Sequence, residues 1–177
     1  MFFLRKTKQQ EQLPIAMSAV RMGERALQIG IDDPALLGAI AAKVGLSGHA
    51  AVALADDATA ARARSAAEKA GVLIDVQVAP LHALTFATDS FDVVVVHAKS
   101  GWLLALDDTA RQGVLREAQR VLRGGGRLIT IEGPSDAARS ATAGTTSDAL
   151  QLAGFKATRV LAERDGYRFT EGLKPRA

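Results

Sequence analysis

The pattern of hydrophobic and polar positions changes period in a regular order along the chain. Residues 91–97 (FDVVVVH) carry its strongest apolar run. Four consecutive valines predict a strand buried on both faces, as at the centre of a parallel sheet. Shorter runs at 25–30 (RALQIG), 50–55 (AAVALA), 73–79 (LIDVQVA) and 127–132 (RLITIE) predict further strands. Between them the spacing turns helical. Residues 34–45 are an apolar helix, 57–70 an alanine-rich one with Arg62, Arg64, Glu68 and Lys69 outward, and 107–123 an amphipathic one. A last helix is expected at about 145–153. Closing strands follow at about 156–163 and 167–173, joined by Asp165-Gly166, a favoured hairpin turn.

The punctuation agrees with this reading. Asp33 followed by Pro34 has the chemistry of an N-cap and a first helical residue, while Gly45 and Gly71 suit helix ends. Gly124, Gly125 and Gly126 are expected to turn the chain into the fifth strand. A loop stands between the third and fourth strands, where a helix could have been. Alternation of this kind predicts a three-layer α/β domain with a mainly parallel seven-stranded sheet and a C-terminal antiparallel hairpin. Residues 1–24 are a lead-in segment, with a short helix within 10–23, and residues 25–177 are one domain.

Composition narrows the chemistry. The chain has 177 residues, 34 of them alanine, and no cysteine. Disulfide scaffolds, thiolate metal sites and cysteine nucleophiles are therefore excluded. The net charge of +3 comes from 22 basic and 19 acidic side chains scattered along the sequence. A nucleic-acid binder shows a clustered basic face instead, so no nucleic-acid partner is expected. The one local excess is Arg5, Lys6 and Lys8 behind Phe2, Phe3 and Leu4. That segment is either a solvated terminus or a basic, aromatic foot for a membrane surface or a partner protein. Without an export signal, the expected location is cytoplasmic, or peripheral at a membrane or complex.

Several stretches resemble the class I S-adenosylmethionine (SAM) dependent methyltransferases. They are FDVVVVH with its following loop, REAQRVLRGGGRLITIE, and LQLAGFKATRVLAERDGYRFTEGLKP. KVGLSG (43–48), ARARSAAEKAG (61–71) and LTFATDSFD (84–92) are similar to the small-molecule branch that includes ubiquinone and menaquinone C-methyltransferases. The resemblance spans residues 25–175 and implies a Rossmann-like fold with SAM at the carboxyl ends of the strands. It also implies three cofactor-holding words, and each is altered here. The glycine-rich end of the first strand reads Gln28-Ile29-Gly30-Ile31-Asp32-Asp33-Pro34, where only Gly30 matches and Gln28 replaces an acid. The ribose-binding acid at the end of the second strand falls on Leu54, unless a shift of about two residues brings in Asp56 or Asp57. Pro80 stands where the family has an adenine-side Asp.

Two readings follow. In the first, the framework persists while the SAM site is eroded. The chain is then a non-catalytic binding or structural subunit of a larger assembly, with no cofactor. In the second, it is an active SAM-dependent methyltransferase on a small-molecule substrate. Gly30, Ile31, Asp56, Leu81 and His82 would then border the cofactor. His97, expected at the cleft end of the central strand, is the candidate general base because imidazole titrates near neutral pH. His49 is expected to be exposed. No zinc-ligand spacing is present, and Asp107-Asp108 fits a helix cap. Trp102, with Leu103 and Leu104, is expected to line a pocket, face a partner or pack its loop down.

Overall fold

A computed structural model describes residues 12–133 and 145–176. The N-terminal foot, with Phe2, Phe3, Arg5, Lys6 and Lys8, lies outside the described residues. The described residues form one seven-stranded sheet in the order β3-β2-β1-β4-β5-β7-β6. The strands are β1 (Arg25–Ile29), β2 (His49–Leu54), β3 (Asp75–Val78), β4 (Phe91–Ala98), β5 (Leu122–Glu132), β6 (Lys156–Arg164) and β7 (Tyr167–Leu173). The first five pair in parallel; β7 runs antiparallel to both β5 and β6. Among the described residues the helices are α1 (12–17), α2 (Pro34–Val44), α3 (Asp57–Ala70), α4 (Trp102–Ala105), α5 (Asp108–Val121) and α6 (Thr146–Leu152).

The central strands β1, β2 and β4 are buried on both faces, which explains their near-continuous apolar sequences. Leu27, Val94, Val96 and Leu128 pack against Leu115, Ala118 and Leu150 from α5 and α6. On the other face, Ala26, Val93, Val95 and Ile129 pack against Leu36, Ile40 and Val44 of α2. The alternation along β4 therefore assigns each valine to one layer or the other. Strand order reverses between β1 and β4. Their carboxyl ends thus flank the crevice where open α/β sheets place ligands.

Local chemistry sets most boundaries as expected. Asp33 caps α2, accepting from Ala35 N at 3.0 Å and Leu36 N at 3.3 Å, with Pro34 in the first turn. The β6–β7 hairpin turns on Asp165 and Gly166, both at positive φ. The glycine run departs from expectation. Leu122 pairs with Phe91 and Arg127 with Val93, so Gly124–Gly126 is a bulge inside β5 and not a turn ahead of it. The C-terminal end fastens this bulge. Gly125 N donates to Lys174 O at 2.9 Å, and Lys174 N donates to Gly126 O at 2.8 Å. A second difference is α4, a short helix within what the sequence pattern gives as loop.

The loop joining β3 to β4 is braced by an ion pair on α5. Glu117 takes Arg120 Nε at 2.7 Å and also accepts from the buried Leu84 N at 2.7 Å, while Arg120 donates to Leu84 O. The Arg120 guanidinium and, after it, the Leu84 amide hold the Glu117 carboxyl below its ordinary range. Glu117→Ala should cost about 1–2 kcal/mol, because it strands a buried amide. Its contribution is complete above the unfolded carboxyl pKa and fades as pH falls through the lower folded value. Urea unfolding of both proteins at neutral and acid pH measures this.

Candidate functional site

The crevice between β1 and β4 is built from two loops, residues 30–33 after β1 and 99–101 after β4. Gln28, on β1, is buried and faces α2. Its amide nitrogen donates to Leu37 O at 3.1 Å. A carbonyl can only accept, so this bond fixes the amide's orientation and turns Oε1 toward His97. Gln28 Oε1 and His97 Nε2 lie 2.7 Å apart, so the imidazole donates from Nε2. Nδ1 is then the bare nitrogen, and it has no hydrogen-bond partner among the described residues. His97 is buried under α2 and does not open toward the crevice. Burial pushes its pKa down to about 4, against a smaller upward pull from Asp32 and Asp33. It is therefore a neutral ring at physiological pH.

The two loops are tied across the crevice. Asp32 accepts from Ser100 N and Ser100 Oγ, both at 2.9 Å. Gly30 has φ +81°, a conformation that favours glycine. The Trp102 indole packs over it: a Cβ at Gly30 would lie 3.3 Å from Trp102 Nε1 and 3.2 Å from His97 O. The indole N–H donates to His97 O at 2.5 Å. Trp102 is thus half-buried against the main-chain framework of the site. Lys99 sits nearby with its ammonium 5.3 Å from the Tyr167 ring centre. The neighbouring Tyr167, and more weakly Asp33 and Asp32, hold its pKa above the ordinary lysine value.

The remaining sequence candidates are scattered. Ile31 is buried against Leu37, Val52 and Leu54. Leu54 is the last residue of β2 and is buried. Asp56 is exposed and caps α3, accepting from Thr59 N at 2.8 Å. That amide is the first cause holding its carboxyl below the ordinary value. Leu81 packs on the α5 side of the core. His82 is exposed and lies against Gly113 of α5. His49 is partly exposed, with Nε2 4.0 Å from Asp75.

The structure brings Gly30, His97, Asp32 and Trp102 together, but not Asp56 or His82. Sequence reading missed the Gln28–His97 pair. Its signal was a polar residue at the inward end of two otherwise apolar neighbouring strands. It also missed Glu132, buried at the end of β5 and accepting from Thr146 Oγ1. A cavity of about 650 Å³ lies elsewhere, at the amino ends of β2 and β3, between Ala41, Leu46, His49 and Leu73. It is remote from the crevice. Among the described residues no cluster could hold a metal ion, and no helix is long and apolar enough to cross a membrane.

Comparison with known proteins gives this arrangement its family. A search of curated protein sequences found no match. Solved structures are similar over nearly the whole chain. A SAM-dependent methyltransferase from Aquifex aeolicus superposes with a TM-score of 0.73 at 14% identity, covering 93% of this chain and 89% of that one. A putative methyltransferase from Haloferax volcanii, in complex with the methyltransferase activator Trm112, gives 0.69 at 16% identity and covers 94% and 88%. The [4+2]-cyclase SpnF gives 0.68 at 16% identity, covering 96% and 81%. The fold is thus the Rossmann-like class I methyltransferase fold. A family model described as "Methyltransferase domain" matches residues 35–130, more than half of the sequence, and the chain belongs to that family.

Proposed function

We propose that this protein keeps the methyltransferase framework with an eroded SAM site and serves as a non-catalytic binding or structural subunit. The observation that carries the reading is the pair of contacts that tie the two loops across the crevice between β1 and β4. Asp32 is bonded to Ser100 and the Trp102 indole rests on Gly30. The residues present do not fit the cofactor. The position where the family resemblance expects an acid holds Gln28, whose amide is turned inward to Leu37 O and His97. The N-terminus of α2, where helix amides favour an anion, is already capped by Asp33. Asp32 and Asp33 would repel a cofactor's carboxylate, and the single Lys99 only partly balances them. The second-strand position is the buried Leu54, and Pro80 offers no side-chain donor or acceptor.

His97 supplies no general base in this reading. A ring with pKa about 4, sealed behind Gln28, has neither the basicity nor the access that proton transfer at neutral pH requires. Similar folds carry different work, as the cyclase with this architecture illustrates. The neighbour bound to an activator fits a role in an assembly. A relationship to the small-molecule C-methyltransferase branch remains part of the proposal, resting on KVGLSG and LTFATDSFD. Calorimetry of the full chain should detect no heat from SAM or S-adenosylhomocysteine at millimolar concentration. Micromolar binding of either would overturn the reading and restore an active small-molecule methyltransferase.

A further inference from the structure

We propose that a second copy of this chain docks on an apolar patch at the amino ends of β2 and β3, forming a two-fold dimer in which Leu46 of each copy enters a hollow on the other. The inference goes beyond the eroded-site reading and does not depend on it, because the patch lies at the opposite end of the strands from the crevice. Six large hydrophobic side chains are exposed among the described residues, and three of them stand together here. Leu46, fully exposed, and Leu73, 88% exposed, border the cavity of about 650 Å³. Met22, 80% exposed, lies beside Gly45 on the same cavity, where a Cβ would be 3.4 Å from Met22 Cγ. Exposed apolar side chains gathered in one patch mark an interaction surface, whereas scattered ones do not.

Self-complementarity selects the occupant. Ala41, Ala42 and Gly45 from the end of α2, with Gly71 after α3, give the hollow a lining of small side chains, so it accepts a branched aliphatic group. The patch carries such a group beside its own hollow. Leu46 rides on the turn between α2 and β2, and that turn is fixed. Gly45 N donates to Ala42 O at 3.2 Å, and Gly48 sits so close to Glu24 O that a Cβ there would lie 2.4 Å away. Leu46 is therefore held outward before any partner arrives, which lowers the ordering cost of docking. A knob and a hollow side by side on one patch suit a two-fold contact, since each residue pair then occurs twice. Charge agrees. Asp75 lines the hollow, and Lys69 lines the adjoining groove that shares Ala42. A copy turned about a two-fold axis can bring these opposite signs together, where a uniformly acidic or basic partner would meet a like charge.

Sedimentation velocity on the full chain, from low micromolar to several hundred micromolar, tests this. The wild type should pass from monomer to a closed dimer and grow no further. A monomer throughout, or growth that continues with concentration, overturns the proposal. Leu46→Asp sets a charge against the hollow and should weaken the dimer by about a hundredfold or more, roughly tenfold for each of the two leucines buried. Leu46 is fully exposed in the single chain, so this variant should keep the native circular dichroism and thermal midpoint of the monomer. Ala42→Trp fills the hollow instead of removing the knob, and it should also weaken the dimer by about tenfold or more. A dimer that survives either variant in folded form overturns the proposal; if Ala42→Trp does not fold, Leu46→Asp decides alone. Leu152→Asp, at an exposed position on α6, changes a comparable leucine away from the patch and should leave association unchanged. A dimer lost equally in Leu152→Asp is built on another surface, which overturns the proposal as well.

Discussion

Acidification from pH 7 to pH 4 is expected to remove about 3 kcal/mol of folding stability through His97 alone. The ring is buried and neutral in the folded protein, with pKa about 4 against 6.5 for the free side chain. Between those values the unfolded state holds more protons than the folded one, so stability rises with pH. The contribution is complete above pH 6.5, declines across the window and is gone below pH 4. Desolvation is the leading cause of the depression, and Asp32 and Asp33 oppose it. The control is His97→Gln, which keeps a donor for Gln28 and removes the titration. Urea unfolding at several pH values should give a steeper slope for the wild type than for the variant between pH 4 and 6.5. Acid carboxylates such as Glu117 titrate in both proteins and cancel in the comparison. Parallel slopes would show that the imidazole is solvated and that its pKa is close to the ordinary one.

Much of the fold was legible because its determinants are local. Four valines in β4 can only be a doubly buried strand, and Asp33-Pro34 and Asp165-Gly166 specify a cap and a turn by side-chain chemistry alone. The glycine run misled because glycine serves a turn and a bulge equally well. Pairing of Gly125 and Gly126 with Lys174, some fifty residues on, decided for the bulge. The family framework was legible through its helix and strand words. The state of the crevice was not. Asp32 meets Ser100, Gln28 meets His97 and Gly30 meets Trp102 across a separation of about seventy residues, and no local pattern announces such contacts. Pattern could place His97 at the end of β4. Only the partner on β1 reveals that the ring is locked inward.

That lock has its own expected energetics. Gln28→Leu should destabilise the fold by about 2–4 kcal/mol, since leucine keeps the volume but removes both amide bonds. The loss leaves His97 Nε2 and Leu37 O without the partners they have now. With Nδ1 already lacking a partner among the described residues, the imidazole would be a buried polar ring with nothing to bond. His97→Leu alone should also be costly, because it strands Gln28 Oε1 in the same place. Replacing both together removes the stranded groups along with the bond. The double variant should therefore be more stable than the sum of the single changes predicts, by about 1–3 kcal/mol. A cycle of urea unfolding measurements yields that coupling directly. Coupling near zero would mean that water, not Gln28, is the partner of His97. A large coupling, with the double variant folded, identifies the two polar residues as a structural clasp between β1 and β4. The polar chemistry at the switch point would then hold strands together.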